Sequence, residues 1–143
     1  MDLSVNIKDI RLNIRTAVII KTNNGYIFEK DHLNRFYWVV GGRIKINETS
    51  EEAAKREIKE ELGIKIKNIK LIAIVEDFFE FDNENFHEIC FYYSCKLNKT
   101  INLPKNYYYI TKNKMKTVNI QPKILPKIIN SKNNKIMHII NNK

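Results

Sequence analysis

The chain has 143 residues, of which 43% are hydrophobic and 29% charged, enough for one domain with a real core. It lacks the run of about 18 apolar residues that a membrane span needs. The net charge of +9 is unevenly placed: residues 1–88 carry 14 basic and 16 acidic side chains, and residues 89–143 carry 11 lysines and no acid. Such a basic half draws polyanions, and a polyphosphate substrate is sufficient to account for it. With lysine alone and no arginine, it lacks the planar fork that reads bases or phosphates bidentately.

In chain order, residues 1–13 are mixed, with a short strand expected before the core. Arg15 to Ile20 reads as a buried strand, being rich in β-branched residues. Asn23-Asn24-Gly25 signals a hairpin turn, and Tyr26 to Lys30 returns as the second strand. Asp31 to Arg35 is a polar loop. Phe36 to Val40 is a third strand running into Gly41-Gly42. A helix is predicted from near Thr49 to Gly63. Ile69 to Phe81 is one long strand with a bulge or bend, Asp82 to Asn85 a turn, and Phe86 to Leu97 a strand of clean alternation. In that strand Ile89, Phe91, Tyr93, Cys95 and Leu97 share one face, and Glu88, Cys90, Tyr92 and Ser94 share the other. Tyr107 to Ile110 makes a short strand. Residues 122–130 have helical spacing, with Pro126 marking the helix start. Lys135 to Ile140 closes as a strand.

Cys90 and Cys95 lie on opposite faces of one predicted strand, roughly 16 Å apart, so they do not bridge each other. Without neighbouring histidines they make a poor zinc site. Residues 1–5 lack the charged and apolar regions of a secretory leader, and a reducing cytoplasm is the expected compartment.

Residues 42–64 are the most informative stretch. Thr49 and Glu52 have the spacing of a capping box, and Gly63 suits the left-handed residue that ends a helix. Ala54, Ile58 and Leu62 form an apolar stripe. Glu57, Glu60 and Glu61 lie at i, i+3 and i+4 on an adjoining arc. Like charges at that spacing repel, and a hard divalent cation such as Mg²⁺ relieves them, since it prefers carboxylate oxygens. Arg56 offers a bidentate fork for Glu48 or Glu57. Gly41-Gly42 allows a tight turn with a carbonyl free to face a metal. Taken alone, Glu-x-x-Glu-Glu is also what a solvated helix face looks like.

The whole string is far more restrictive: Gly42, five residues, Glu48, seven residues, Arg56-Glu57-Ile58-Lys59-Glu60-Glu61-Leu62-Gly63-Ile64. It resembles, at every defined position, the signature of the Nudix hydrolases. Phe36 to Arg43 resembles the strand and turn before that box, with Val40 where many members have Pro. Phe86-His87-Glu88-Ile89 and the stretch 119–140, with Pro122, Leu125, His138 and Ile139, resemble later parts of a bacterial Nudix group.

The resemblance implies an α/β (α+β) Nudix fold, a mixed sheet sandwiched between helices, here one domain over residues 1–143. It implies hydrolysis of a nucleoside diphosphate linked to another group, with Mg²⁺ or Mn²⁺. Substrate classes are nucleoside triphosphates, oxidised nucleotides, nucleotide sugars and ADP-ribose. The alternatives are an RNA 5′-end hydrolase and a non-catalytic nucleotide-binding protein. The partner is a small nucleotide, in a monomer or homodimer without membrane association.

Carried over by position, Glu57 and Glu61 are metal ligands, followed by Glu60 and the Gly41 carbonyl, and Glu48 and Arg56 are positioning residues. The general base is a box glutamate such as Glu60, or a later acid, with Glu88 ahead of Glu76. Arg15 and Arg35 are candidates for phosphate contact. Trp38, Phe78, Phe79 and Tyr92 are candidates for base stacking, although strand aromatics also read as core. His32, His87 and His138 have no metal-ligand spacing and read as structural.

Overall fold

A computed structural model describes residues 1–142. Its strands are β1 (Ser4–Ile7), β2 (Ile10–Thr22), β3 (Gly25–Lys30), β4 (Tyr37–Trp38), β5 (Val40–Arg43), β6 (Lys70–Phe81), β7 (Glu84–Leu97), β8 (Tyr107–Ile110) and β9 (Met137–Asn141). The helices are α1 (Ser50–Leu62), α2 (Lys112–Met115) and α3 (Leu125–Asn130). All nine strands join one mixed sheet, whose main path runs β4-β3-β2-β7-β6-β9. β2 pairs in parallel with β7, and β6 with β9; the other ladders are antiparallel.

Side-chain alternation along β2 and β7 splits the core in two. Val18, Ile20, Tyr93 and Leu97 face α1 and meet its stripe of Ala54, Ile58 and Leu62. Ala17, Ile19, Cys90 and Tyr92 face the other way and are covered by Met115, Ile120, Leu125 and Ile128. The sheet therefore lies between α1 and the short α2 and α3, as the resemblance to the Nudix hydrolases implies.

α1 is capped as predicted. The Thr49 side chain accepts from the Glu52 amide, Glu52 accepts from the Thr49 amide, and Gly63 adopts φ 72°. The long strand carries its irregularity between Leu71 and Ala73.

Four details differ from the expectation. β2 extends back to Ile10, because β1 and β7 give its polar first half hydrogen-bonding neighbours. The stretch around the two glycines breaks into β4 on β3 and β5 on β2. The β6–β7 turn has two residues instead of four, because Asp82 and Asn83 both take positive φ, 49° and 64°, and Asp and Asn tolerate that conformation. The helix α2 was not foreseen; four residues are too few for a periodic signal.

Both cysteines are free thiols, and burial pushes Cys90 up to about 12 and Cys95 up to about 11. Among the described residues no helix is long and apolar enough to cross a membrane.

Two substitutions test this reading of α1. Ile58→Ala, at a fully buried position, is expected to cost about 2–5 kcal/mol in chemical denaturation. Thr49→Ala is expected to cost about 1 kcal/mol, through the lost cap alone.

Candidate active site

The site is built where β5, the following loop and α1 meet. Two glycines make that meeting sterically feasible. A Cβ on Gly42 would stand 2.2 Å from Glu57 Oε1, and one on Gly41 would stand 2.4 Å from the Thr16 carbonyl oxygen. Hydrogen at Gly42 leaves the space that the Glu57 carboxylate occupies, and hydrogen at Gly41 lets β5 lie close against β2.

Arg56 is the hub. Its Nε donates to Glu48 Oε2 at 2.6 Å and one terminal nitrogen donates to Glu48 Oε1 at 2.8 Å, a bidentate pair. That same nitrogen also donates to the Arg43 carbonyl at 3.1 Å. The other terminal nitrogen donates to Glu57 at 2.9 Å and, more loosely, to Glu60 at 3.3 and 3.5 Å. The fork thus ties the loop, β5 and α1 together. Its hydrogen bonds hold the Glu48 carboxyl well down, at about 2.

Glu61 is fixed from two sides: the Gly41 amide donates to Oε2 at 3.2 Å and the Tyr107 hydroxyl donates to Oε1 at 2.7 Å. Burial pushes Glu61 up to about 8, against the pull of the Tyr107 hydroxyl and with help from the Glu29 and Glu57 carboxylates. Burial and Glu61 likewise raise the Tyr107 phenol. Glu29 accepts from Trp38 Nε1 at 3.0 Å.

The sequence string therefore comes together in space. Glu48, Arg56, Glu57, Glu60, Glu61 and Gly41 form one continuous set. Gly41 joins the set through its amide, which donates to Glu61. Tyr107 and Glu29 were missed by sequence reasoning. Nothing in Tyr107-Tyr108-Tyr109 distinguishes the tyrosine that meets the helix; the pairing of β8 with β3 decides it.

Other predicted residues sit elsewhere. Glu88 lies on β7 with Cys90 and Tyr92, on the sheet face opposite α1, where it accepts from Asn13 Nδ2 at 2.7 Å and has Arg15 Nε at 3.8 Å. The strand does not bring it to the box carboxylates. Glu76 pairs with His138 on the edge strand β9. Arg35 is engaged by Asp31 at 2.7 Å and Asp82 at 3.0 Å, and lies over the rings of Phe36 and Phe81. It clasps the loop 31–36 to the tip of the β6–β7 hairpin. Trp38 packs edge-on to Phe36, Phe78 lies against His87, and Tyr92 is buried core. His32 is exposed and lies beside Asp31.

As they stand, no three His, Cys, Asp or Glu side chains among the described residues converge as a ready metal cage. Arg56 and Tyr107 occupy several of the relevant oxygens. The donor set is nonetheless all hard oxygen, which suits Mg²⁺, an ion that keeps several waters and uses one or two carboxylates. The residues fit such an ion chemically.

Comparison with known proteins gives the family. Residues 12–122 match the model of the NUDIX domain, and the chain belongs to that family. An 8-oxo-dGTP diphosphatase from Proteus vulgaris is 37% identical over 73 residues, a match spanning 48% of this chain and 65% of that relative. The fold is similar to that of the mutator MutT protein from Bacillus halodurans, with TM-score 0.70 and 18% identity over 88% of this chain and 89% of that one. It is also similar to the NUDIX domain of Shewanella oneidensis NrtR, solved with ADP ribose, with TM-score 0.63 and 12% identity over 82% and 84% of the two chains.

Tyr107→Phe removes the hydroxyl that orients Glu61 and leaves the ring in place. Its Mn²⁺ affinity, followed by electron paramagnetic resonance titration, is expected to fall about tenfold, the lower end for a partner that orients a ligand.

Proposed function

We propose that the chain is a divalent-cation-dependent pyrophosphohydrolase acting on a nucleoside diphosphate derivative, with an oxidised purine nucleoside triphosphate as the favoured substrate class. The reading rests above all on the assembly of Glu48, Glu57 and Glu60 around the Arg56 fork, with Glu61 held next to them by the Gly41 amide. The 8-oxo-dGTP diphosphatase relative favours the substrate class.

In this reading Glu57 and Glu61 hold the cation, with Glu60 and the Gly41 carbonyl completing the set. Bound Mg²⁺ or Mn²⁺ would neutralise phosphate oxygens and favour water attack at phosphorus. Glu48 and Arg56 position Glu57 and act through it. Glu60 takes the proton from the attacking water. It suits that role because its side chain is 53% exposed and only loosely held by Arg56, whereas Glu57 is 13% exposed and tightly paired. Glu88 drops out as base, because it faces the other side of the sheet. Of the two candidate arginines, Arg15 is half-buried and has no close hydrogen bond among the described residues, which leaves it for a phosphate, whereas Arg35 is engaged in its clasp.

Product analysis over a panel of nucleoside triphosphates, 8-oxo-dGTP, nucleotide sugars and ADP-ribose tests the reading. Cleavage is expected with Mg²⁺ and not with EDTA, and Glu61→Gln is expected to lose about a hundredfold or more. Equal rates for the two proteins, or tight binding without turnover in either cation, would sink it.

The ten described lysines beyond Glu88 are all exposed, which favours a second reading, hydrolysis of an RNA 5′ end. In that case turnover of 5′-triphosphorylated RNA drops about a thousandfold or more between roughly 50 and 200 mM salt. A flat salt response excludes it.

A further inference from the structure

At the end of the sheet away from the β6–β7 turn, on the face opposite α1, lies an open cavity of about 330 Å³. It is remote from the box carboxylates. Lys21, on its rim, is five residues beyond Thr16, the partner of Gly42, roughly 16 Å along β2. The box helix covers the other side of the sheet.

The walls are aliphatic. The sheet supplies Ile19 and Ile72, and α3 with the start of β9 supplies Ile128 and Met137. Ile72 reaches this face through the irregularity between Leu71 and Ala73. It is the extra residue of β6, so it packs on the same side as Ala73 instead of alternating with it.

The rim has a different chemistry. Lys21 stands directly opposite Lys96 in the β2–β7 ladder and opposite Tyr26 in the β2–β3 ladder. Three neighbouring strands thus present two ammonium groups and a phenol in one row. Ser94, two residues before Lys96, adds a hydroxyl to the lining. Like charges directly opposite destabilise a ladder. Neither lysine pairs with an acid among the described residues, and none of the described residues lining the cavity is Asp or Glu. The Tyr26 hydroxyl likewise has no hydrogen-bond partner among the described residues, and burial raises its phenol, so it stays a donor. The cavity therefore offers donors and positive charge at its rim and apolar surface within.

We propose that this cavity is a second ligand site, separate from the carboxylate cluster, for a small organic phosphate monoester. The phosphate sits between Lys21 and Lys96 with Tyr26 and Ser94 as further donors, and the apolar body of the ester enters among Ile19, Ile72, Ile128 and Met137. A phosphate monoester carries a charge of about −1.5 to −2 at neutral pH and three strong acceptor oxygens, which matches two lysines and two hydroxyls. A carboxylate would leave one lysine unneutralised, and inorganic phosphate would leave the aliphatic walls uncovered. Lysine acts here as a point charge, which suits a phosphate without a fixed fork. A volume of about 330 Å³ is at the small end for ligand sites, so the body is of single-ring or short-chain size. The site stands on its own lining and does not rest on the hydrolase reading.

Phenyl phosphate is the probe. Amide NMR spectra of the full chain are followed, without metal, during titration with phenyl phosphate, inorganic phosphate and benzyl alcohol. Phenyl phosphate is expected to shift the amides of Ile19, Ser94, Ile128 and Met137 and to leave those of Gly41 and Gly42 in place. It is expected to bind at least about tenfold more tightly than either of the other two, since it alone joins the charged hydrogen bonds to the apolar contact. Equal binding of either comparison compound, shifts at the two glycines in place of the cavity, or no binding at all overturns the proposal. The Lys21→Gln/Lys96→Gln double variant, altered at two exposed positions, is expected to weaken phenyl phosphate by about tenfold or more. Unchanged affinity in the folded variant overturns the proposal as well. If the variant does not fold, the comparison of the three compounds on the wild type decides.

Discussion

The Arg56 guanidinium is the interaction on which the site depends. It engages three carboxylates and a backbone carbonyl, so that a loop, a strand and a helix share one fixed centre. Without it, Glu48, Glu57 and Glu60 would be three like charges gathered around one strand end, and their repulsion would splay the loop from the helix. An arginine suits the position where a lysine does not. One planar group supplies several donors in fixed directions, and it stays charged at any relevant pH. The two glycines complement it. Arg56 draws the carboxylates in, Gly42 leaves room for Glu57, and Gly41 lets β5 lie close against β2.

The single sheet then separates two chemistries by the simplest rule of strand geometry. Neighbouring residues point to opposite faces. On β7, Tyr93 and Leu97 turn toward α1, while Glu88, Cys90 and Tyr92 turn away. On β2, the even positions support the helix and the odd positions Asn13 and Arg15 lie on the polar side. A one-residue slip of β2 against β7 would exchange the two sets. Thirteen continuous pairs in the parallel ladder hold that register.

Much of this was legible beforehand, and the reasons are local. The capping box, the left-handed Gly63 and the apolar stripe of α1 are written within 15 residues, so the helix and its carboxylate arc follow from the string itself. The alternation of residues 86–97 likewise gave both faces of β7. What was not legible depends on pairing between distant segments. The role of Arg35 is decided by Asp82, 47 positions away, and that of Glu61 by Tyr107, 46 positions away. Glu88 is the sharpest case. Its alternation partners were known, but the side of the sheet that α1 would cover was not, so a strand carboxylate could be assigned to the box only by analogy. Tyr92 and Phe78 illustrate the same limit, since an aromatic in a strand does not reveal what it will pack against.

The charge distribution suits the proposed cation. The box is acidic and partly buried, yet the substrate proposed for it is a polyanion. A site of carboxylates alone would repel phosphate at close range, where low local dielectric strengthens the effect. The surrounding field has the opposite sign: the chain carries +9 overall, and its described lysines beyond Glu88 are exposed. Long-range attraction by lysines can bring a polyphosphate to the cleft, but it acts through water and weakens with salt. It does not neutralise Glu57 and Glu61 at contact. That step needs a positive charge between carboxylate and phosphate oxygens, and Arg56 is already committed to Glu48, Glu57 and the Arg43 carbonyl. A hard divalent ion satisfies both partners with one ligand type, oxygen. In the proposed reading the acidic arc and the basic surface are complementary parts of one electrostatic arrangement, the first suited to a cation and the second to gathering a polyphosphate.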